Sequence, residues 1–312
     1  MKQFIARHSP LFILAALCLC LALYSENFRT AGNLQSVAGR ASITGVVALG
    51  QLLVILTAGI DLSVGSVAAL SGVLGCMAMK AGVPMPLGVL IGCAAGAACG
   101  AVNGTLVSKG RIPPFIATLG MMMAARGLAL FISGGNPVFG LPDSLGWIGE
   151  TKDWRIPIVI VSALCVGFAF MLTFTRFGRS LYAVGGNRQA ARLSGIPVDG
   201  VLLRAYTLCG LMAGLGGMML AAKTSIGAPM AAEMYELETI AACVIGGASL
   251  MGGEGGALAS MAGALIMFVL RNVCNLENID TSLQQVLVGV LVVALVFYDT
   301  TRKRRAGLLK SD

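Results

Sequence analysis

The sequence predicts an all-α, polytopic membrane protein of about ten transmembrane helices. Hydrophobic residues make up 57% of the 312 positions and charged residues 12%, against roughly 25% charged in a soluble domain. The mean hydropathy is +0.86. Ten apolar runs follow one another along the chain, and most can reach across a ~30 Å hydrocarbon core at ~1.5 Å per residue. The 42 glycines, nearly twice the usual ~7%, suit helices that pack backbone to backbone in a membrane.

The first run, 11–23, follows the basic stretch MKQFIARH and resembles a secretory leader in outline. No small-residue cleavage site follows it, so it is kept as the first span. Further spans are expected at 41–59, 64–80, 85–107, 113–133, 156–175, 201–222, 236–252, 256–274 and 283–299. Several are short, which predicts partly broken helices.

Ten spans with the N-terminus inside can be tested against the positive-inside rule. The segments placed inside hold Lys2, Arg7, Lys109, Arg111, Arg176, Arg179, Arg188, Arg192, Arg204, Arg302, Lys303, Arg304, Arg305 and Lys310, 14 of the 22 basic residues. The outer segments carry the acids Glu26, Asp143, Glu150, Asp153, Glu233, Glu236, Glu277 and Asp280. Both termini are therefore expected in the cytoplasm of a multi-pass inner-membrane protein. The net charge of +8 is spread as topology signals, so no nucleic-acid partner is expected.

The longest polar interruptions, 134–155 and 175–200, are too short to be domains. The whole chain, 1–312, is expected to form one transmembrane domain. It contains no Walker A, G-x-S-x-G or H-E-x-x-H motif, so hydrolytic chemistry has no visible machinery. The nine cysteines fall in apolar segments or at their ends without a C-x-x-C, beside a single histidine, His8. No metal, cofactor or disulfide framework is expected.

Segment 175–200, TRFGRSLYAVGGNRQAARLSGIPVDG, has the strongest local signals. Asn187 reads as an N-cap, residues 188–194 as two helical turns, Gly195 as the left-handed residue after them and Pro197 as the stop. So short a helix, far below the ~12–15 residues needed for marginal stability in water, persists only when docked. Arg188 and Arg192 share one face, with Ala190, Ala191 and Leu193 offering small or apolar contacts and Ser194 completing the turn.

Two glycine-rich corners follow spans that descend from outside to inside, a setting that hints at duplicated halves. In GIDLSVGS (59–66), Ser63 is expected to cap the next helix, and Gly59 and Gly65 to permit a tight reversal. Asp61 is placed at the membrane edge, stabilising the corner or serving a gate or a partner. In GGASLMGGEGG (246–256), Glu254 occupies the corresponding corner.

Polar residues assigned to the spans are Gln51, Asn103, Thr118, Arg126, Asn136, Glu238, Asn272 and Asn275. Each must face protein or a water-filled path, because hydrocarbon offers no hydrogen-bond partner. Interhelical hydrogen bonding and a permeation path both fit. Trp147 and Trp154, in the outer loop, suit interfacial anchoring in lipid or reception of a soluble partner.

Five stretches, LLVILTAGIDLSVGSVAALSG (52–72), VSKGRIPPFIATLGMMMAARG (107–127), TRFGRSLYAVGGNRQAARLSGI (175–196), YELETIAACVIGGASLMGG (235–253) and RNVCNL (271–276), together resemble the permease subunits of bacterial ABC importers for ribose and related sugars. The resemblance implies a dimer of permeases, either two copies or two different chains. It also implies a separate cytoplasmic ABC ATPase and a periplasmic substrate-binding protein. In that family the loop matching 185–195 is the coupling helix that enters a groove on the ATPase. Relatives often carry a basic residue where this chain has Glu254. Permeases for branched-chain amino acids or nucleosides, an ion-coupled transporter and an intramembrane enzyme are the alternatives.

Overall fold

The computed structural model describes residues 2–149 and 151–305; Glu150 and Lys310, used in the charge argument, lie outside the described residues. The helices are α1 (Lys2–Tyr24), α2 (Ala31–Leu56), α3 (Val64–Lys80), α4 (Met85–Ser108), α5 (Pro114–Ser133), α6 (Arg155–Phe174), α7 (Arg176–Gly186), α8 (Arg188–Leu193), α9 (Val198–Thr224), α10 (Tyr235–Ile245), α11 (Ala257–Leu276) and α12 (Thr281–Arg305). A 3₁₀ turn covers Asp143–Ile148. Among the described residues, the only β pairing is an isolated bridge between Val138 and Gly227.

Among the described residues, six helices, α2, α4, α5, α6, α9 and α11, are each long and apolar enough to cross a membrane. Proline sets several starts: Pro84 precedes α4 and Pro113 precedes α5, where its fixed φ suits the first turn and its missing N–H costs nothing. Gly134, at φ 63°, ends α5 in the left-handed conformation that lacks a Cβ penalty.

The bundle is built around α2 and α9, which are mostly buried within the chain, whereas α4, α5 and α6 turn most of their surface outward. Phe115, Met123, Phe131, Val166 and Phe170 are exposed on those outer helices, as a lipid-facing or subunit-facing surface requires. Along the α4/α9 seam, Gly92, Gly96, Gly100 and Gly104 recur every four residues, and a methyl added at Gly96 or Gly100 would collide with the carbonyl of Gly210 or Tyr206. The high glycine content is used here for close helix approach.

Two expectations about elements change. The span expected at 236–252 is an 11-residue helix, α10, ending at Ile245. At ~1.5 Å per residue it covers about half of the ~30 Å core, and irregular backbone flanks it on both sides. The polar segment 175–200 holds α7 and α8 rather than one short helix, and the first residues of α9. α7 buries Gly178, Leu181 and Val184 and exposes Arg176 and Arg179; Phe177, Leu181 and Val184 recur at the spacing of an apolar helix face.

Candidate functional site

At one end of the bundle, α7 and α8 meet the corner after α2 and the corner before α11. Thr175 starts α7, its hydroxyl accepting from the Gly178 N–H at 3.1 Å. Asn187 then interrupts the helix in an extended conformation, and its Oδ1 accepts from the Ala190 N–H at 2.9 Å. Gly195 turns the chain at φ 79°, a left-handed geometry that favours glycine.

Three contacts hold this six-residue helix to its own chain. Arg192 pairs with Asp199 at 3.1 Å, and Arg188 Nη2 donates to the Thr57 carbonyl at 3.4 Å. Ala191 is 4% exposed, which corrects the expectation that it faces a partner. It lies on the inward side of α8, where the helix must bury something to stay folded. Arg188, Ala190, Arg192, Ser194 and Gly195 remain exposed, and Leu193 is 90% exposed. A cleft of about 510 Å³ opens between α8 and the α4–α5 link, bordered by Arg111, Pro113, Arg188, Arg192 and Leu193.

The two glycine-rich corners, separate in sequence, join behind α7. The Gly253 N–H donates to the Leu56 carbonyl at 3.0 Å, and the Tyr182 hydroxyl donates to the Gly255 carbonyl at 2.9 Å. A methyl on Gly185 would strike the Leu56 carbonyl, and one on Gly252 would strike Ala58 and Gly185. Glu254 is exposed on this corner, its carbonyl accepting from the Ser249 N–H at 3.0 Å.

The Asp61 corner differs from its expected form. Asp61 is 1% exposed, so its carboxyl is enclosed by protein. Ser63 occupies the N-cap position of α3 but makes no capping bond. Its hydroxyl donates to Asp61 Oδ1 at 2.6 Å, and its backbone N–H adds a second bond at 2.8 Å. Donation to Asp61 and acceptance from Asn103 turn the hydroxyl away from the first N–H groups of α3. Asn103 donates to the Ser63 oxygen at 2.9 Å. The Gln51 amide, oriented with its nitrogen toward the Asp61 carbonyl, bonds both backbone groups of Asp61 at 3.2 and 3.3 Å. Ala58, not Gly59, takes the left-handed turn at φ 59°. Gly65 lies inside α3, where an added methyl would meet the Ala232 carbonyl.

The candidate path residues fall into separate places. Gln51, Asn103 and Thr118 are buried around the Asp61 corner, with the Thr118 hydroxyl bonded to the Pro114 carbonyl at 2.9 Å. Glu238, 3% exposed, forms a 2.6 Å ion pair with Arg271; no hydrogen bond to Oε1 is aligned, so the contact is chiefly electrostatic. Asn272 exchanges side-chain bonds with Asn33 at 2.6 and 3.0 Å. Asn275 is exposed and accepts from Gln284 at 2.9 Å. Asn136, expected within a span, lies beyond α5 in an exposed turn, donating to the Gly134 carbonyl at 3.1 Å. Its preceding glycine pair, Gly134 and Gly135, ends the helix with two left-handed residues.

The structure thus gathers Gln51, Asp61, Ser63, Asn103 and Thr118 at one corner and leaves Asn136, Glu238, Asn272 and Asn275 elsewhere. Arg271, Asn33 and Gln284 complete the other polar pairs. Their partners are 33, 239 and 9 residues away in sequence for Glu238, Asn272 and Asn275, so only the polar residues themselves signalled the pairs.

The family of permease components of branched-chain amino acid transport systems matches residues 33–296. The ribose import permease protein of Escherichia coli (strain K12) is 38% identical over 97% of this chain and 96% of its own length. The D-allose transport system permease protein of the same strain is 36% identical, covering 94% and 91%. Its xylose transport system permease protein is 31% identical, covering 95% and 93%. No solved structure matches the chain. A family match across most of the helical bundle, with full-length relatives, establishes that the chain belongs to this family of transport-system permeases.

Proposed function

We propose that this chain is the membrane-spanning permease of an ATP-binding-cassette importer that passes a small sugar. It works in a pair of permeases, with ten spans and both termini in the cytoplasm, receiving solute from a periplasmic binding protein. A separate cytoplasmic ATPase engages α8 and the cleft beside it. ATP binding draws the two α8 helices together and switches the permease pair between outward-facing and inward-facing states. The permease supplies no catalytic group.

The observation that carries this reading is the construction of α8. Ala191 and Asp199 fix the helix from behind, while Leu193 is 90% exposed beside Arg188 and Arg192. An exposed apolar residue flanked by arginines, on a helix too short to stand alone, has the character of an interface anchor. The names of the full-length relatives favour ribose-like sugars. The family description favours branched-chain amino acids as a second solute class, which competition during binding-protein-dependent uptake separates from the first.

The test is Leu193→Glu. It should leave the chain's thermal stability in detergent unchanged, remove co-purification of the ATPase and lower ATP-driven uptake by about tenfold or more. Normal ATPase co-purification and uptake in this variant would overturn α8 as the dock.

A further inference from the structure

Arg126 lies near the middle of α5, where a charge inside a spanning helix is costly unless it is paired. Its Nη1 donates to the Pro229 carbonyl at 2.7 Å and to the Ala231 carbonyl at 2.9 Å. Both acceptors belong to 225–234, the stretch between α9 and α10. These residues form no α-helix, so their carbonyls lack the partners a helix would provide.

This stretch returns into the bundle. The bridge between Val138 and Gly227 ties its beginning to the loop after α5, with N–H to carbonyl distances of 2.9 and 3.0 Å. Farther on, a methyl on Gly65 in the first turn of α3 would meet the Ala232 carbonyl and the Glu236 carboxylate. The chain therefore leaves α9 and comes back to the level at which α3 starts. Ser225, Ala232 and Met234 have φ of 57°, 54° and 68°, a conformation disfavoured for residues with side chains.

The stretch walls an open cavity of about 370 Å³, with α3 and α9 forming its other sides. This size lies within the usual range for small-molecule sites, roughly 300–1,000 Å³. Its polar side chains are Thr224 and Glu233; small residues such as Ala68, Gly72 and Gly217 form much of the remainder. A wall with one carboxylate and the Thr224 hydroxyl suits a small hydroxyl-rich solute better than an anion.

We propose that this cavity is a station on the solute's passage and that Arg126 is a positioning residue for its wall, holding 229–231 in place through two carbonyls. The inference rests on the permease function proposed above. Arg126 contributes no contact to the solute; it fixes the backbone that the solute passes. Loosening that backbone opens the passage without the signal delivered from outside.

Both bonds leave a single nitrogen, so a lysine ammonium can replace them in part, whereas methionine replaces only the apolar stem. The experiment uses the permease reconstituted in proteoliposomes with its ATPase and binding protein, with ribose as the probe. Arg126→Met should lower uptake per ATP hydrolysed by about tenfold and render hydrolysis independent of the binding protein, while Arg126→Lys should recover at least about a third of the coupling. Gly65→Ala, pressing on the same wall from α3, should reproduce the Met phenotype in milder form. A wild-type ratio of uptake to hydrolysis in Arg126→Met would overturn the proposal. So would uptake and hydrolysis falling together in proportion to assembled complex, with no gain from lysine, because Arg126 would then serve only folding. Failure of the unmodified assembly to couple uptake of any tested solute to ATP would overturn both this proposal and the permease function beneath it.

Discussion

In the corner 246–256, Gly247, Gly252, Gly253 and Gly255 supply the positive φ angles. In the stretch 225–234, on the other side of α10, Ser225, Ala232 and Met234 supply them. Glycine enters that region of backbone space freely, whereas a residue with a Cβ is destabilised there by about 1–2 kcal/mol. The first break in the helical bundle is therefore relaxed and held by backbone contacts, including Gly253 on the Leu56 carbonyl. The second is strained and must be held from outside, by Arg126 on α5 and by the bridge to Val138. A relaxed junction suits a part that must transmit a push as a unit; a strained segment under external restraint suits a part that must be able to move.

The largest effect should come from filling the relaxed junction. Gly185→Val would drive a branched side chain into the Leu56 carbonyl and the Gly253 N–H. Backbone on both sides leaves nothing able to yield, so a loss of about 3 kcal/mol or more is expected, seen as failure to recover folded chain from membranes. Recovery at the wild-type level would show that the two corners are not locked through α7.

The relaxed junction was largely legible in the sequence and the strained segment was not. Six glycines in 246–256 and four arginines in 176–192 announce a reversal and an inner loop. The Asn187 cap and the Gly195 turn follow from local chemistry, because each acts within four residues of itself. The segment 225–234 carries no such density, and its restraints come from Arg126 and Val138, about a hundred residues upstream. Arg126 stood out only as a costly charge. Asp61 shows the same limit from another direction: its corner was visible, but burial by Gln51 and Asn103 depends on how α2 and α4 pack. The orientation of α8 also depends on packing, which is why Ala191 points inward although its neighbour Ala190 is exposed.

A medium effect is expected from Gly252→Ala. The residue sits at φ 84°, and its added methyl would approach the Ala58 N–H and Gly185. Strain in a left-handed conformation together with crowding should destabilise the purified chain by about 1–3 kcal/mol, measured as a fall in unfolding temperature in detergent. An unchanged transition would mean that the corner adapts and that its glycines are dispensable.

The smallest effect has the opposite sign, and it separates the two regions most sharply. Ala232→Gly removes a Cβ from a residue at φ 54°, relieving about 1 kcal/mol of strain, partly offset by the greater entropy of glycine in the unfolded chain. Thermal stability should therefore stay level or rise by less than about 1 kcal/mol, while hydrolysis without the binding protein increases because the wall has lost part of its stiffness. If Ala232→Gly instead destabilises the chain as Gly252→Ala does, the left-handed turn at Ala232 is not strained, and the contrast between a relaxed junction and a restrained wall fails. The same variant thus tests the sign of the backbone energy through stability and its use through coupling, two measurements that a purely structural loop would not drive in opposite directions.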